Sequence, residues 1–232
     1  MHLSLFPSLS RASRVASLRA PLRRCTLKRP LTTAASRACT KCGAALPTAL
    51  PLCTACKFIA PVQPHTTSRD VLAQHVEPGE NPFRVDPQAL RAAFLRAQQV
   101  CHPDAWASAP VQSQRLAGEY SALINHAYRT LSSPLARAEE ILRDHGRDTK
   151  EHDQLDDPEL VMGIMETRER IEEGNEAVRE EITRTNKEHM KACVARLEEH
   201  IANEDWDAAK KEATKLNYLE TIDAAARGID HH

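Results

Sequence analysis

The sequence predicts an all-α protein with a small cysteine-rich module ahead of its helices. Aromatic residues make up only 4% of the 232 residues and glycines number seven, while Ala, Glu, Arg and Leu dominate. This composition suits helix packing with little or no sheet. After residue 86, apolar residues recur in several segments at the 3.6-residue period of a helix. With 41% apolar residues, the chain can build one or two small cores but not a large enzyme domain.

Charge divides the chain into two unlike parts. Residues 1–69 hold 11 of the 31 basic residues and none of the 32 acidic ones, so the remainder has a net charge of −12. Such an acidic part repels phosphates, and the sequence therefore predicts no nucleic-acid binding. No run of about 20 apolar residues occurs, so we expect no membrane-spanning segment.

Residues 1–37 are rich in Arg, Ser and Leu. The interleaved Leu and Arg are typical of a mitochondrial transit peptide, which is removed after import. A disordered basic arm that binds nucleic acid or acidic lipid is the alternative. We predict transit to the mitochondrial matrix and exclude the segment from the fold.

Four cysteines have the spacing of a metal site. Cys39 and Cys42 form one Cys-x-x-Cys pair, and Cys53 and Cys56 form a second. Four thiolates match the tetrahedral demand of Zn²⁺, so residues 38–62 are predicted to be a four-cysteine zinc module. Two disulfides, disfavoured in a reducing compartment, and an iron–sulfur cluster are the alternatives. Four protein ligands leave no open position for water, so the predicted zinc is structural.

A tripeptide, His102-Pro103-Asp104, lies between two helical patterns. Asp86 can cap the first helix, and Pro87 suits its first position. Ser133-Pro134 ends the second helix. Two such helices form an antiparallel hairpin with the tripeptide at its tip, the arrangement that marks a J domain, predicted over residues 69–147. A chance tripeptide in a loop is the alternative.

Three further helices are predicted in residues 155–228. The first starts at Asp157-Pro158 and runs to about Glu173, the second spans about 175–203, and the third begins after Asp205. Short connections make neighbours antiparallel, which predicts a three-helix bundle.

Part of this bundle is too apolar for one buried stripe. The stripe of its first helix runs through Leu160 and Ile164. A second apolar arc lies off that stripe, and an aromatic residue lies off the stripe of the last helix. Such residues suit a partner-binding patch, and a broad core face is the alternative. The candidate patch, including the glutamates that border the arc, consists of Val161, Met162, Met165, Glu166, Glu169 and Tyr218.

The tripeptide, the run NHAYRTLSSPLARA at residues 125–138 and the ending Leu216-Asn217-Tyr218-Leu219 together resemble the HscB-type (Jac1-like) mitochondrial iron–sulfur cluster co-chaperone family of J proteins. The resemblance covers roughly residues 69–226. The run at 125–138 is far more specific than the tripeptide, which all J proteins share. The cysteine pairs look like the amino-terminal zinc module of animal members.

This resemblance implies scaffold delivery. The J domain would engage a mitochondrial heat-shock 70-type chaperone and stimulate its ATP hydrolysis through the tripeptide loop. The bundle would hold an iron–sulfur scaffold protein of the ISCU type. The protein would then activate a partner's ATPase without being an enzyme. The residues that match the family's scaffold contact are Leu160, Val161, Met162, Met165, Glu166, Glu169 and Tyr218.

The sequence departs from the family near the loop. Family members carry several basic residues on the helix before it, whereas here the candidates are Arg84, Arg91 and Arg96. Ala105-Trp106 replaces the usual basic or aromatic residue followed by an aromatic. Asp70-Val71-Leu72 stands where the family shows Asp-Tyr-Phe. These departures predict weaker chaperone affinity, or affinity carried by other residues.

Two other functions compete. A zinc-dependent adaptor would bind protein or nucleic acid without chaperone activity. An enzyme would need chemistry from His102 with Asp104 or Cys101, yet the sequence offers no positioned base–nucleophile pair, glycine-rich phosphate loop or open metal site. Cys101 and Cys193 fit apolar helical positions, which predicts buried thiols and not nucleophiles.

Overall fold

In the part of the chain that the structure describes, seven α-helices follow the cysteine module. The computed structural model describes residues 38–64, 66–74, 76–77, 79–148 and 158–228, so the predicted transit segment lies outside the described residues. In those ranges the only β-structure is two isolated bridges in the module, and the all-α prediction is confirmed. The helices are α1 Ser68–Val71, α2 Pro87–Cys101, α3 Val111–Ser132, α4 Pro134–Asp144, α5 Pro158–Glu173, α6 Glu176–Ala202 and α7 Trp206–Ala226.

The helix boundaries follow the predicted caps. The Asp86 carboxylate accepts a hydrogen bond from the amide of Gln88 at 2.9 Å, and Pro87 is the first residue of α2. Ser133 ends α3 and caps α4, because its hydroxyl accepts from the amide of Ala136 at 3.2 Å. Each cap satisfies an amide that has no partner within its own helix.

The first core joins the J domain to the cysteine module. Helices α2 and α3 form the predicted hairpin, and a 3₁₀ turn, Pro103–Trp106, lies at its tip. Leu50, Leu52 and Ile59 from the module are buried in the same cluster as Leu90 and Ile124 from the hairpin. The module is therefore not a separate appendage, since it completes the hydrophobic core of the J domain.

The second core crosses the boundary predicted at residue 147. Helix α4 packs against α7, so the predicted three-helix bundle shares its core with the last J-domain helix. Pro134 prevents α3 from continuing, so that α4 takes a new direction and packs its apolar face against the bundle. Phe83, from the segment between α1 and α2, is buried in this core. The members from α4, α6 and α7 include Leu135, Ala138, Ile141, Leu142, Cys193, Leu197, Ile201, Ala213 and Leu216.

A third core holds α5 against α6 and α7. It consists of Ile164 and Ile171 from α5, Ile182 from α6, and Ile222 and Ala226 from α7. Helix α7 thus buries its first half against α4 and its second half against α5. None of the described helices is long and apolar enough to cross a membrane.

Polar contacts reinforce the junction between the J domain and the bundle. The Asn81 side-chain amide donates to the carbonyl of Glu198 at 2.8 Å. The rings of His145 and Trp206 stack with their centroids 3.8 Å apart. Together with the buried Phe83 ring, these contacts tie the segment before α2 and the end of α4 to α6 and α7.

Candidate functional site

The His-Pro-Asp loop presents two polar side chains to solvent. His102 has φ −55° and ψ 133°, the extended geometry expected before a proline. The side chains of His102 and Asp104 are 59% and 92% exposed, and their closest polar atoms, Nδ1 and Oδ2, lie 3.6 Å apart. His102 Nδ1 also accepts from the amide of Asp104 at 3.3 Å. Both side chains therefore face solvent.

Trp106 anchors this loop from beneath. Its side chain is fully buried, and its indole N–H donates to the carbonyl of Val100 at 2.9 Å. In the sequence, this tryptophan stands out only as a departure from the family pattern. Its aromatic type in a chain poor in aromatics is the signal that could have identified it as a structural anchor.

The one thiol next to the loop is not a nucleophile. Cys101 is fully buried, and burial raises the pKa of its thiol to about 11. The thiol therefore stays protonated near neutral pH, where a protonated thiol is a poor nucleophile. The prediction that Cys101 is a buried thiol is confirmed.

The three candidate basic residues do not form one face. Arg84 precedes α2, and its Nε donates to the Glu198 carboxylate of α6 at 2.5 Å. Arg91 and Arg96 are both exposed on α2, but five residues of helix separate their directions by about 140°. Their contact with a chaperone stays a prediction, and Arg84 already has a partner within the chain.

The four predicted metal ligands come together. Cys39 Sγ lies 3.7 Å from Cys56 Sγ, and Cys42 Sγ lies 3.6 Å from Cys53 Sγ. All four sulfurs are within 4.8 Å of one another. A tetrahedral ion with metal–sulfur bonds of about 2.3 Å needs sulfurs about 3.8 Å apart. The cluster therefore fits a single metal ion.

Backbone geometry brings the four thiols together, but their surroundings shift the pKa values of Cys53 and Cys56 in opposite directions. Each cysteine pair lies in a hairpin closed by one bridge, Ala38 with Ala45 and Leu52 with Ile59. A hydrogen bond from the backbone amide of Cys56 is the main reason that the pKa of Cys53 falls to about 7. Burial raises the pKa of Cys56 to about 12. Because metal ligands are thiolates, binding of an ion would release protons from this cluster.

The module is fixed to α3 by two hydrogen bonds beside the loop. The Tyr120 hydroxyl donates to the carbonyl of Ala60 at 3.0 Å. The Ser113 hydroxyl donates to the carbonyl of Lys57 at 3.3 Å. These bonds place the second cysteine hairpin next to the 3₁₀ turn that follows His102.

The predicted patch on α5 is exposed. Val161, Met162 and Met165 are 38%, 62% and 60% exposed, and they are among the few large apolar residues at the surface of the described chain. Glu166 and Glu169 are exposed beside them. The prediction that this arc leaves the core is confirmed.

Tyr218 differs from the sequence prediction. A helical wheel places it off the core, and it does lie off the second core, but it is half-buried and packs against the third core that contains Ile164. The reason is that α7 buries two different faces along its length, which a single stripe does not represent. The side chain of Leu160 lies outside the described part of the chain.

Several residues at the junctions were missed by sequence reasoning. The Arg137 guanidinium donates to the carbonyl of Leu131 at 2.7 Å and lies 4.7 Å from the Phe83 ring centroid. In α6, the buried Asn186 side chain donates to the carbonyl of Leu219 at 2.7 Å. Arg137 lies within the run at residues 125–138, which was the available signal, whereas Asn186 has none.

Comparison with known proteins gives the class of the protein. Residues 156–227 match a family model described as the HSCB C-terminal oligomerisation domain. This match covers α5 to α7. The hairpin with its exposed tripeptide lies before the matched residues.

Solved structures extend the likeness over most of the chain. Human co-chaperone protein HscB is 25% identical, with a TM-score of 0.69 over 82% of this chain and 97% of the human chain. Chaperone HscB from Vibrio cholerae is 26% identical, with a TM-score of 0.61 over 70% of this chain and 96% of that one. The Jac1 co-chaperone from Saccharomyces cerevisiae, at 21% identity and a TM-score of 0.54 over 69% and 97% of the two chains, shares the fold. The family match and these neighbours together support an HscB/Jac1-type co-chaperone, and the resemblance seen in the sequence is confirmed.

Proposed function

We propose that this protein is a J-type co-chaperone that binds an iron–sulfur scaffold protein of the ISCU type and delivers it to a heat-shock 70-type chaperone. The observation that carries the proposal is the exposed His-Pro-Asp loop at the tip of the α2–α3 hairpin, in a chain that shares the HscB fold. The loop stimulates ATP hydrolysis in the chaperone, and the bundle holds the scaffold for transfer.

The geometry of the loop supports a contact role in place of catalysis. An exposed carboxylate and imidazole at a convex tip can be desolvated only by a partner that closes over them. The thiol beside them, Cys101, is buried and protonated, and the imidazole and carboxylate themselves face solvent. The hydrolysis would occur in the active site of the chaperone, so the protein itself should have no ATPase activity.

The patch on α5 supports the scaffold contact. Val161, Met162 and Met165 give flexible apolar area, and Glu166 and Glu169 form a polar rim beside it. Such an arrangement matches the centre and rim of a protein interface. Tyr218 would contribute from its exposed side, and Leu160 keeps its place in the proposal from the family resemblance.

We further propose that the metal of the cysteine module is Zn²⁺. A multinuclear iron–sulfur cluster would spread the four thiolates over two or more irons, so that they could not all lie within 4.8 Å of one another. Four ligands from the protein exclude a reactive water, so the ion would stabilise the module. Elemental analysis of the mature protein should find about one zinc per chain. Stoichiometric iron or no metal would refute this assignment.

The mitochondrial matrix is the proposed site of action, on the basis of the Arg-, Ser- and Leu-rich composition of residues 1–37. Import followed by removal of this segment would leave the cysteine pairs intact if cleavage precedes Cys39. A matrix location would also place the protein with mitochondrial chaperone and scaffold partners.

An ATPase assay tests the proposed function. Purified mature protein is added to a mitochondrial heat-shock 70-type chaperone under steady-state conditions, and phosphate release is measured with and without an ISCU-type scaffold. The protein should raise the rate of the chaperone and have no rate of its own. Unchanged chaperone turnover would leave an adaptor without chaperone activity as the better account.

A further inference from the structure

We propose that Lys57 is a positioning residue through which the four-cysteine module holds the His-Pro-Asp loop in the conformation that stimulates the chaperone. This role rests on the proposed co-chaperone function. It makes metal loading of the module and activity of the loop interdependent, although the metal ligands and the tripeptide are separate sites.

One ammonium group contacts both residues that follow the tripeptide. Lys57 Nζ donates to the carbonyl of Ala105 at 2.8 Å and lies 5.2 Å from the centroid of the Trp106 ring. Ala105 is bonded directly to Asp104, and the Trp106 ring is fixed below by its bond to Val100. Lys57 therefore closes the loop from the side of the module, while the hairpin supports it from beneath.

The backbone at Lys57 is a second, independent observation. Gly43 and Lys57 each follow the second cysteine of a pair, at equivalent places in the two hairpins, and have φ values of +73° and +55°. Glycine adopts this left-handed conformation without strain, whereas a lysine does so at a cost. Strain of this kind persists where the surrounding structure imposes it and is concentrated at functional sites. The contact that only the lysine side chain makes gives that strain a function.

The position of Lys57 also couples it to the metal ligands. It directly follows Cys56, and its carbonyl accepts from the Ser113 hydroxyl of α3. The amide of Cys53 donates to the carbonyl of Phe58 at 2.9 Å, which closes the hairpin around the ligands. A metal ion fixes this hairpin and hence the start of the lysine side chain. Loss of the ion should release the hairpin and, through Lys57, the loop.

Substitution by glycine separates strain from contact. Lys57→Gly relieves the left-handed backbone and removes the side chain, so it should leave zinc affinity unchanged or increased. Lys57→Met removes the charge but keeps most of the length. Lys41→Met is the matched control, because it removes an exposed lysine from the first hairpin of the same module. Lys57→Arg keeps a donor and the charge and should restore the contact.

Amide hydrogen exchange reads the loop directly. The amides of Ala105 and Ala107 donate within the 3₁₀ turn to the carbonyls of His102 and Asp104. In Lys57→Gly and Lys57→Met they should exchange about tenfold faster than in the wild-type protein or in Lys41→Met. Removal of zinc should accelerate the same amides in the wild-type protein and should have little further effect on them in Lys57→Gly.

ATPase stimulation supplies the second readout. Half-maximal stimulation of the chaperone should need several times more Lys57→Gly or Lys57→Met protein than wild-type protein. Lys57→Arg should approach the wild-type curve. Wild-type exchange at Ala105 and Ala107 in both variants overturns the positioning role. Faster exchange with unchanged stimulation overturns its link to activity. A wild-type protein that stimulates no chaperone refutes the proposed function instead, while the exchange rates still decide whether Lys57 holds the loop.

Discussion

At the scale of single residues, the loop combines opposite environments at two nearby positions. Asp104 is almost fully exposed, whereas Trp106, two residues later, is fully buried and hydrogen-bonded. The buried Trp106, whose indole N–H donates to the carbonyl of Val100, anchors the loop, while the Asp104 carboxylate remains exposed. Substitution of Asp104 should therefore alter the function of the loop without unfolding the protein.

The substitution Asp104→Asn tests this separation. It removes an anion from an exposed position, so the free energy of unfolding should change by only about 0.5 kcal/mol or less. Stimulation of chaperone ATPase should fall to the background rate, because the charged contact is lost. Thermal melting and the ATPase assay are measured on the same preparation. Normal stimulation by the folded variant would contradict the J-domain role of the loop.

The buried thiol of Cys193 should make the stability of the protein depend on pH in the alkaline range. Burial, together with its hydrogen bond to Glu212, raises the pKa of Cys193 from 9.0 to about 12. The folded state therefore keeps this proton in a range where the unfolded chain loses it. The resulting stabilisation is present below pH 9 and is lost as the pH rises toward 12.

Urea unfolding between pH 8 and pH 11 measures this effect. The free energy of unfolding of Cys193→Ala should fall less steeply above pH 9 than that of the wild-type protein, since one of the groups with a raised pKa is gone. Parallel curves for the two proteins would show that the buried thiol does not contribute to the alkaline loss of stability.

At the scale of elements, the sequence predicted α2, α3, α5, α6 and α7 but not which face each one buries. Capping residues and proline predicted the starts of α2 and α5 and the end of α3, because these signals are local. The face buried by α7 changes along its length, since its first half packs on α4 and its second half on α5. A periodic pattern predicts which positions of a helix are apolar. It does not predict how many neighbouring helices pack against them.

Tyr218 and the exposed residues of the patch on α5 were therefore predicted with unequal success. Val161 and Met165 follow from a wheel of α5, which has one core face. Tyr218 required knowledge of where α5 crosses α7, a tertiary contact. The same limit applies to Lys57, because nothing local indicates that residue 57 meets residue 105. The four candidate metal ligands were predictable because two Cys-x-x-Cys pairs are a local pattern in the sequence.

Substitution of Val161 and Met165 together by Ala tests the patch. Tyr218 is left unchanged, because its packing in the third core would add a loss of stability. The pair should weaken binding of an ISCU-type scaffold by about tenfold to a hundredfold. The melting temperature should hardly change, since both side chains are exposed.

Leu95→Ala is the matched control, because Leu95 is an exposed apolar residue, 54% accessible, on α2 in the other half of the protein. It should leave scaffold affinity unchanged in a binding titration. Equal affinity of the wild-type protein and the α5 variant would show that the patch is not the contact surface.

At the scale of the whole molecule, shared cores tie its parts together. The cysteine module completes the first core with the J domain, and α4 with Phe83 completes the second core with the bundle. Hydrogen bonds from Asn81 and Arg84 to Glu198 add to the second junction. The chain therefore holds the loop and the patch on one framework, which suits a protein that must present one partner to another.

Phe83→Ala tests this connection. A buried Phe replaced by Ala typically costs about 3–5 kcal/mol, and Phe83 lies between the J domain and the bundle. Urea unfolding should show one transition at lower urea, with α3 and α6 losing protection from hydrogen exchange together. Two separate transitions, with α6 unaffected, would show that the two halves fold independently.

In the proposed function, one molecule both stimulates a chaperone and delivers a scaffold to it. The most direct measurement is chaperone ATPase turnover with and without ISCU-type scaffold, using the wild-type protein, Asp104→Asn, and the Val161→Ala, Met165→Ala variant. Scaffold should add to the wild-type stimulation, and Asp104→Asn should abolish stimulation under both conditions. The patch variant should keep its basal stimulation but lose most of the increase due to scaffold. Wild-type stimulation that is the same with and without scaffold would contradict the proposed function, as would stimulation that survives in Asp104→Asn.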